Sequence, residues 1–354
     1  MKILAIETSC DETSAAVLEG KSDNVRILSN IISSQINIHK KYGGVVPEIA
    51  ARNHILNIIP VVDEALRKSN YGNKKISVDL IAVTRGPGLM SSLLIGVQTA
   101  EMLAYAWKKP LIAVNHIEGH IYANWLNSIN VKFPALALVV SGGHTQLVLM
   151  RDHLKYKIIG QTRDDAAGEA FDKVAKILNL GYPGGPIIAK MAGKRILACA
   201  DRVAPKYKLP RPMIDSKDFD FSFSGLKTAV LYMAREKEKY RQIEKDDIKN
   251  ICAEFQQAVI DVLVYKTIAA AKKYKVKIVL LAGGVAANQE LRRQLEEAAR
   301  NELGDEIIFN VPEQILCTDN AAMVGAAAYY RYLAKPNSAK IPPVKIKVDP
   351  NLEI

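Results

Sequence analysis

His116 and His120 sit four residues apart in Asn115-His-Ile-Glu-Gly-His120, directly after the apolar run Leu111-Ile-Ala-Val114. On a helix that spacing brings two imidazoles to one face, the geometry for two ligands of one transition metal. Two unrelated polar histidines at a helix start would give the same string. A zinc-protease motif needs Glu immediately after the first His, but that position is Ile117, and Glu118 falls about 200° round the helix from His116. Peptide hydrolysis by that route is therefore disfavoured. Asp319, at the expected start of the last helix, is the third candidate ligand, and it could equally be a helix cap. Two imidazoles and one carboxylate would leave coordination positions open, as a catalytic or ligand-holding metal requires.

Two glycine turns could hold an anion. Ser141-Gly-Gly-His-Thr145 and Ala282-Gly-Gly-Val-Ala-Ala-Asn288 both follow apolar runs, and the second feeds a helix start. Backbone N–H groups and the helix dipole there suit a nucleotide phosphate. No G-x-x-x-x-G-K-[ST] or G-x-G-x-x-G string is present, so P-loop and dinucleotide-binding folds lose support. Carboxylates crowd Asp164-Asp-Ala-Ala-Gly-Glu-Ala-Phe-Asp172-Lys173, where Asp164 and Asp165 are expected to cap their own helix. Asp172, further in, is a candidate for bidentate contact to a ribose or another diol, or an ordinary surface acid. A further acidic, hydroxyl-rich stretch, Glu7-Thr-Ser-Cys-Asp-Glu-Thr-Ser14, lies near the start of the chain.

The elements that must position these groups are legible from periodicity. Ile3–Ile6 and Ala15–Leu18 flank the acidic stretch as a β-hairpin, and Ala135–Val140 with Gln146–Met150 repeat the design around Ser141–Thr145. Such duplication points to an α/β chain of two lobes with similar folds, the candidate site lying in a cleft. Residues 1–112 with 321–337 are expected as one lobe, 113–320 as the other, and 338–354, rich in Pro and Lys, as a loosely held tail. The length of 354 residues and the 49% apolar content suffice for two cores and exclude disordered and fibrous classes.

The four cysteines are widely separated with no C-x-x-C pair, and no apolar stretch is long enough for a membrane span, so the chain reads as cytoplasmic with no membrane partner. Its 48 Lys and Arg against 37 Asp and Glu leave a net charge of +11, which favours a polyanionic partner such as nucleic acid. Arg202, Lys206, Lys208 and Arg211 are the best candidates for phosphate contact. At 6% aromatic content the chain offers no evident base-stacking platform.

Taken in order, Ile6-Glu-Thr-Ser-Cys-Asp-Glu-Thr-Ser14, Tyr42-Gly-Gly-Val-Val-Pro-Glu48 with Arg52 and His54, Arg85-Gly-Pro-Gly-Leu89, His116-Ile-Glu-Gly-His120, Val140-Ser-Gly-Gly-His-Thr145, Gly168-Glu-Ala-Phe-Asp-Lys173, Tyr182-Pro-Gly-Gly-Pro186, Phe221-Ser-Phe-Ser-Gly-Leu-Lys227, Ala282-Gly-Gly-Val285 and Cys317-Thr-Asp-Asn320 resemble the TsaD-type tRNA adenosine threonylcarbamoyltransferases. The match runs over about residues 3 to 333. The resemblance implies the two-lobed actin, Hsp70 and sugar-kinase (ASKHA) fold. It implies one divalent metal ion, usually iron and sometimes zinc, held by His116, His120 and Asp319.

It further implies that a threonylcarbamoyl-adenylate donor meets Val139, Val140, Ser141, Gly142 and Gly143 at its phosphate and acyl end. Asp172 would hold the ribose, while Gly185 and Asn288 would bound the nucleoside. The reaction carried over is acyl transfer to the exocyclic amine of the adenosine beside the anticodon in tRNAs reading codons that begin with A, with release of AMP. Asp11 and Glu12 are the proposed proton acceptors.

By the same resemblance the partners are tRNA, an inert paralogous subunit, a P-loop-type ATPase subunit and a donor-synthesising enzyme. Archaeal and eukaryotic relatives place a metal-binding Tyr where this chain has Val139, so a fourth ligand would be substrate or water. His144 stands where those relatives have Asn, as a turn residue or a reserve ligand. A small-molecule kinase of the same fold would share the glycine turns but has no use for paired histidines facing Asp319. A non-catalytic subunit of a modification complex is the remaining alternative.

Overall fold

The computed structural model describes residues 1–22, 24–69, 77–127, 131–198, 207–240, 244–340 and 345–354. Two compact units are present: Met1–Val131 with Asp152–Tyr156 and Pro312–Ile354, and Lys132–Arg151 with Lys157–Val311.

The first unit is built on a five-stranded mixed sheet of β1 (Lys2–Glu7), β2 (Glu12–Lys21), β3 (Asn24–Ser34), β4 (Leu80–Gly86) and β5 (Leu111–Asn115), in the order β3-β2-β1-β4-β5. β1 and β2 form the expected antiparallel hairpin, with Glu7 opposite Ser14, and β1 runs parallel to β4. Strand side chains alternate between faces, so β1 and β2 can bury both. Leu4, Ile6, Val17, Ile81 and Val83 face a core shared with Ile58 and Val61 of α2 (Pro47–Lys68) and Val97 of α3 (Met90–Trp107). A short helix, α1 (Ile36–His39), precedes α2, and β5 runs into α4 (His116–Tyr122), which is buried at every position.

The second unit repeats the plan. β6 (Ala135–Val140), β7 (Thr145–Asp152), β8 (Lys155–Gln161), β9 (Ile278–Ala282) and β10 (Ile308–Asn310) are ordered β10-β9-β6-β7-β8, the same arrangement read from the other edge. β6 pairs antiparallel with β7 and parallel with β9, as β1 does with β2 and β4. Its helices are α5 (Ala167–Ile177), α6 (Gly184–Ala198), α7 (Ser224–Tyr240), α8 (Lys245–Tyr274) and α9 (Gln289–Leu303). The α/β class and the duplication expected from sequence are both present.

The chain then returns to the first unit through α10 (Gln314–Cys317) and α11 (Ala321–Ala334). Residues 321–330 of α11 are all buried. The close approach needs a glycine: a Cβ on Gly325 would stand 2.2 Å from Leu18 Cδ1. Leu18 alternates with Val17, so α11 covers the sheet face opposite α2 and α3.

Two expectations about chain organisation differ from what is found. α4, expected with the second lobe, belongs to the first unit, because β5 is the edge strand of that unit's sheet and leads straight into it. The described residues of the expected loose tail are instead bonded down: Leu111 and Lys340 exchange backbone hydrogen bonds of 2.9 and 3.0 Å, and Ile346 and Val348 pack on the first core. A Pro- and Lys-rich composition predicts poor packing, but two apolar side chains and a row of backbone bonds suffice to hold ten residues.

Candidate metal and nucleotide sites

α4 begins at a firm cap. Asn115 Oδ1 accepts hydrogen bonds from the N–H groups of Ile117 (2.8 Å) and Glu118 (3.2 Å), which fixes where the next turn points its side chains. His116 and His120 then stack edge to face, their centroids 4.6 Å apart. Asp319 joins them from the loop before α11, its Oδ1 lying 3.5 Å from His116 Nε2 and 3.1 Å from His120 Nε2. The cap of α11 is Asn320, whose side chain accepts from Met323 N–H at 3.1 Å. Asn320 rather than Asp319 therefore caps α11, and the Asp319 carboxylate lies beside the two imidazoles.

The three residues fit a transition metal. One ligand atom from each lies within 4.8 Å of the others, and both ring nitrogens of His120 are buried without a hydrogen-bond partner despite the nearby carboxylate. A buried imidazole in that state costs free energy unless something accepts its lone pair. Two nitrogens and one carboxylate oxygen are a borderline donor set suited to iron or zinc.

Behind His116 stands Glu7, fully buried at the end of β1. Its Oε2 lies 3.1 Å from His116 Nδ1 and accepts from Thr84 Oγ1 at 2.6 Å, while Oε1 accepts from Ser9 N–H at 2.5 Å. Burial works against the charge on His116, but Asp319 and then Glu7 outweigh it and push its pKa up to about 9. Burial also opposes ionisation of Glu7, yet the charge and hydrogen bond of His116 leave it below the ordinary carboxylate value. His120 goes down, through burial and the neighbouring His116. Sequence reasoning gave Glu7 no role of its own. An acid ending a buried apolar strand was the available signal, since such a charge must be paired.

The proposed proton acceptors sit on the β1–β2 tip. Asp11 is 7% exposed, and its carbonyl accepts from Gln35 N–H at 3.0 Å. Glu12 accepts from Ser34 Oγ at 3.1 Å, and burial, followed by the Asp11 and Asp319 charges, drives its pKa well up. His54, quoted only as part of a motif, holds this tip: its Nδ1 is 2.8 Å from Thr13 Oγ1 and its Nε2 2.9 Å from the Cys10 carbonyl. Glu118, which stands one position past the place where a zinc protease carries its Glu, is buried and bonded to Arg331.

In the second unit the Ser141 turn is built to approach α5. Ser141 N–H bonds the His144 carbonyl at 2.8 Å, His144 N–H bonds Ser141 Oγ at 3.1 Å, and Gly168 N–H reaches the Ser141 carbonyl at 3.2 Å. The His144 backbone thus closes the turn. A Cβ on Gly142 or Gly143 would meet nothing within 4 Å, so these two glycines face open space. Val139 and Val140 are fully buried in β6, which puts the accessible part of the run at Gly142 and Gly143.

Several of the acids make bonds within the protein. Asp172 Oδ1 accepts from Gly184 N–H at 2.6 Å, so one oxygen of the proposed diol binder secures the first turn of α6, beside Gly185. Asp164 accepts from the N–H groups of Phe223 and Ser224, at 2.8 and 3.3 Å, and so caps α7 rather than its own helix. Asp165 pairs with Lys173 and Lys227 at 2.6 and 2.8 Å. Asn288 caps α9 through Glu290 and Leu291 N–H and donates to Gln256. Arg211, expected to meet phosphate, is tied to Glu254 and Asp261. Arg202 and Lys206 lie outside the described residues.

The family described as TsaD, tRNA N6-adenosine threonylcarbamoyltransferase, matches residues 26–326. The chain is 51% identical over 339 residues to the tRNA N6-adenosine threonylcarbamoyltransferase of Dehalococcoides mccartyi (strain CBDB1), covering 94% of each chain. It is 48% identical over 333 residues to the enzyme of that name from Staphylococcus epidermidis (strain ATCC 12228 / FDA PCI 1200), covering 94% of this chain and 92% of that one. Among solved structures, HypF of T. kodakarensis is similar in fold, with a TM-score of 0.61 at 14% identity over 94% of this chain and 48% of that one. The chain spans about half of that structure, and the likeness concerns the fold alone. The motifs, the duplicated sheets and relatives matching over nearly their whole length agree: the chain belongs to the TsaD family of tRNA N6-adenosine threonylcarbamoyltransferases.

Proposed function

We propose that this chain transfers the threonylcarbamoyl group from threonylcarbamoyl-adenylate to the exocyclic amine of the adenosine 3′ of the anticodon, in tRNAs reading codons that begin with A. The amine nitrogen bonds to the carbamoyl carbon, the bond from that carbon to the phosphate oxygen breaks, AMP leaves, and one amine proton is given up. The observation that carries the reading is the convergence of His116, His120 and Asp319 within 4.8 Å in a chain of this family.

A carbamoyl-phosphate mixed anhydride is already activated, so the protein has mainly to orient donor and amine and to favour charge on the carbonyl oxygen and the leaving phosphate. His116, His120 and Asp319 would hold one iron or zinc ion, which supplies Lewis acidity for that charge. The exposed Gly142 and Gly143 are assigned to the phosphate and acyl end, beyond Val139, Val140 and Ser141. Asp172, Gly185 and Asn288 are assigned to the nucleoside. Asp11, beside a Glu12 whose pKa is driven well up, takes the amine proton, and the Asp11–Glu12 pair holds it.

The net charge of +11 suits tRNA. No helix among the described residues is long and apolar enough to cross a membrane, in keeping with work in the cytoplasm beside an inert paralogue, a P-loop-type ATPase and a donor-synthesising enzyme.

The test is to incubate the chain and these partners with threonine, bicarbonate, ATP and unmodified tRNA, and to seek threonylcarbamoyl-adenosine by mass spectrometry. Product that disappears with His116→Ala supports the reading. ATP consumed on small polyols, with no modified tRNA, would replace it by the kinase reading.

A further inference from the structure

We propose that residues 345–354 are a strap that positions the metal-site helix α4, acting on its N-cap Asn115. The part of this inference that concerns metal rests on the reading above.

The strap is seated by backbone bonds. Asp349 N–H donates to the Arg85 carbonyl at 2.9 Å, Gly88 N–H to the Pro350 carbonyl at 3.1 Å, and Arg85 Nη1 to the Lys347 carbonyl at 3.3 Å. Ile346 N–H reaches Glu101 Oε1 at 2.5 Å. The seat is shaped for main chain, since a Cβ on Gly86, at φ +153°, would stand 1.8 Å from the Asp349 carbonyl oxygen. Only a residue without Cβ lets the two backbones approach so closely.

From this seat the strap reaches α4 by two routes. Asn115 Nδ2 donates to the carbonyls of Leu352 (3.3 Å) and Glu353 (3.1 Å), while Oδ1 of the same side chain caps Ile117 and Glu118. The strap thereby fixes which end of the amide faces the helix. In the second route, the turn that binds Pro350 continues to Leu89, whose N–H bonds the Ser9 carbonyl at 2.8 Å, and Ser9 Oγ lies 3.1 Å from His116 Nδ1. The first route ends at the first turn of α4 and the second at His116, which begins the metal set. Asn115 is thus a positioning residue, and so is the strap segment that holds it.

The experiment compares the full chain with one lacking residues 349–354, first by amide hydrogen exchange without metal. Exchange at Ile117 and Glu118 is expected to be about tenfold faster in the shortened chain, and unchanged rates would overturn the strap. Cobalt(II) affinity, read by chelator competition, should fall severalfold; equal affinity in the two chains would also overturn it. Should the shortened chain not fold, the intact chain decides by linkage, because cobalt loading must then slow exchange at Asp349, and no slowing refutes the proposal. A full chain that takes up no cobalt sinks the metal reading instead and leaves the exchange comparison to decide the strap.

Discussion

Glu7 Oε2 lies 3.1 Å from Nδ1 of His116, 109 residues along the chain, while His116 Nε2 is turned toward Asp319 at 3.5 Å. A carboxylate accepting the Nδ1 proton settles the tautomer and presents the other nitrogen as a ligand. Glu7→Gln is therefore expected to weaken metal binding by about 10- to 100-fold. Competition against a chromogenic chelator measures it, and an affinity within twofold of the parent would remove Glu7 from this role.

The same pair fixes a pH dependence. In the metal-free protein His116 is raised from 6.5 to about 9 by Asp319 and Glu7, against the effect of burial. Protonated His116 thus contributes stability that is complete below pH 6.5 and lost as the pH rises through 9. Melting temperature of the metal-free chain should decline across that window. Metal uptake displaces the proton, so apparent affinity should drop by roughly tenfold per pH unit below 9. A flat affinity between pH 6.5 and 8.5 would contradict this.

Asp165 joins α5 and α7 by accepting from Lys173 and Lys227 at 2.6 and 2.8 Å. Asp165→Asn should destabilise the chain by about 1 to 3 kcal/mol. The lower end is expected, because Lys173 remains 39% exposed and solvent screens its share. Chemical denaturation would show it as a lower midpoint at constant slope.

Gly325 tests the packing of α11 on the sheet. A methyl group there would stand 2.2 Å from Leu18 Cδ1, and Leu18 is fully buried with little room to turn. Gly325→Ala should cost about 1 to 3 kcal/mol despite the better helix propensity of Ala. Because α11 follows directly on Asp319 and Asn320, metal affinity should drop in the same variant. A variant of unchanged melting temperature would mean that the helix can shift at no cost.

The sequence by itself determined what covalent geometry encodes over short spans. The apolar run and polar turn of Ile3–Ser14, repeated at Ala135–Thr145, are enough to specify two hairpins and a duplicated α/β plan. The spacing of His116 and His120 is enough to put them on one helix face. Motif order was enough to reach the family.

Tertiary structure alone decided the rest, because each remaining question was which distant partner a polar group finds. Asp319 and Asn320 are equally good caps as residue types, and packing of α11 gave the cap to Asn320 and turned Asp319 to the histidines. Asp164 read as the cap of its own helix, yet it serves α7 across 59 residues of chain. Nothing local to Asp172 announces that Gly184 N–H, 12 residues on, donates to its Oδ1. Residues 345–354 carry no local pattern strong enough to announce a fixed conformation. Their order comes from a slot between Gly86 and Asn115 that exists only once β4, β5 and α4 have assembled.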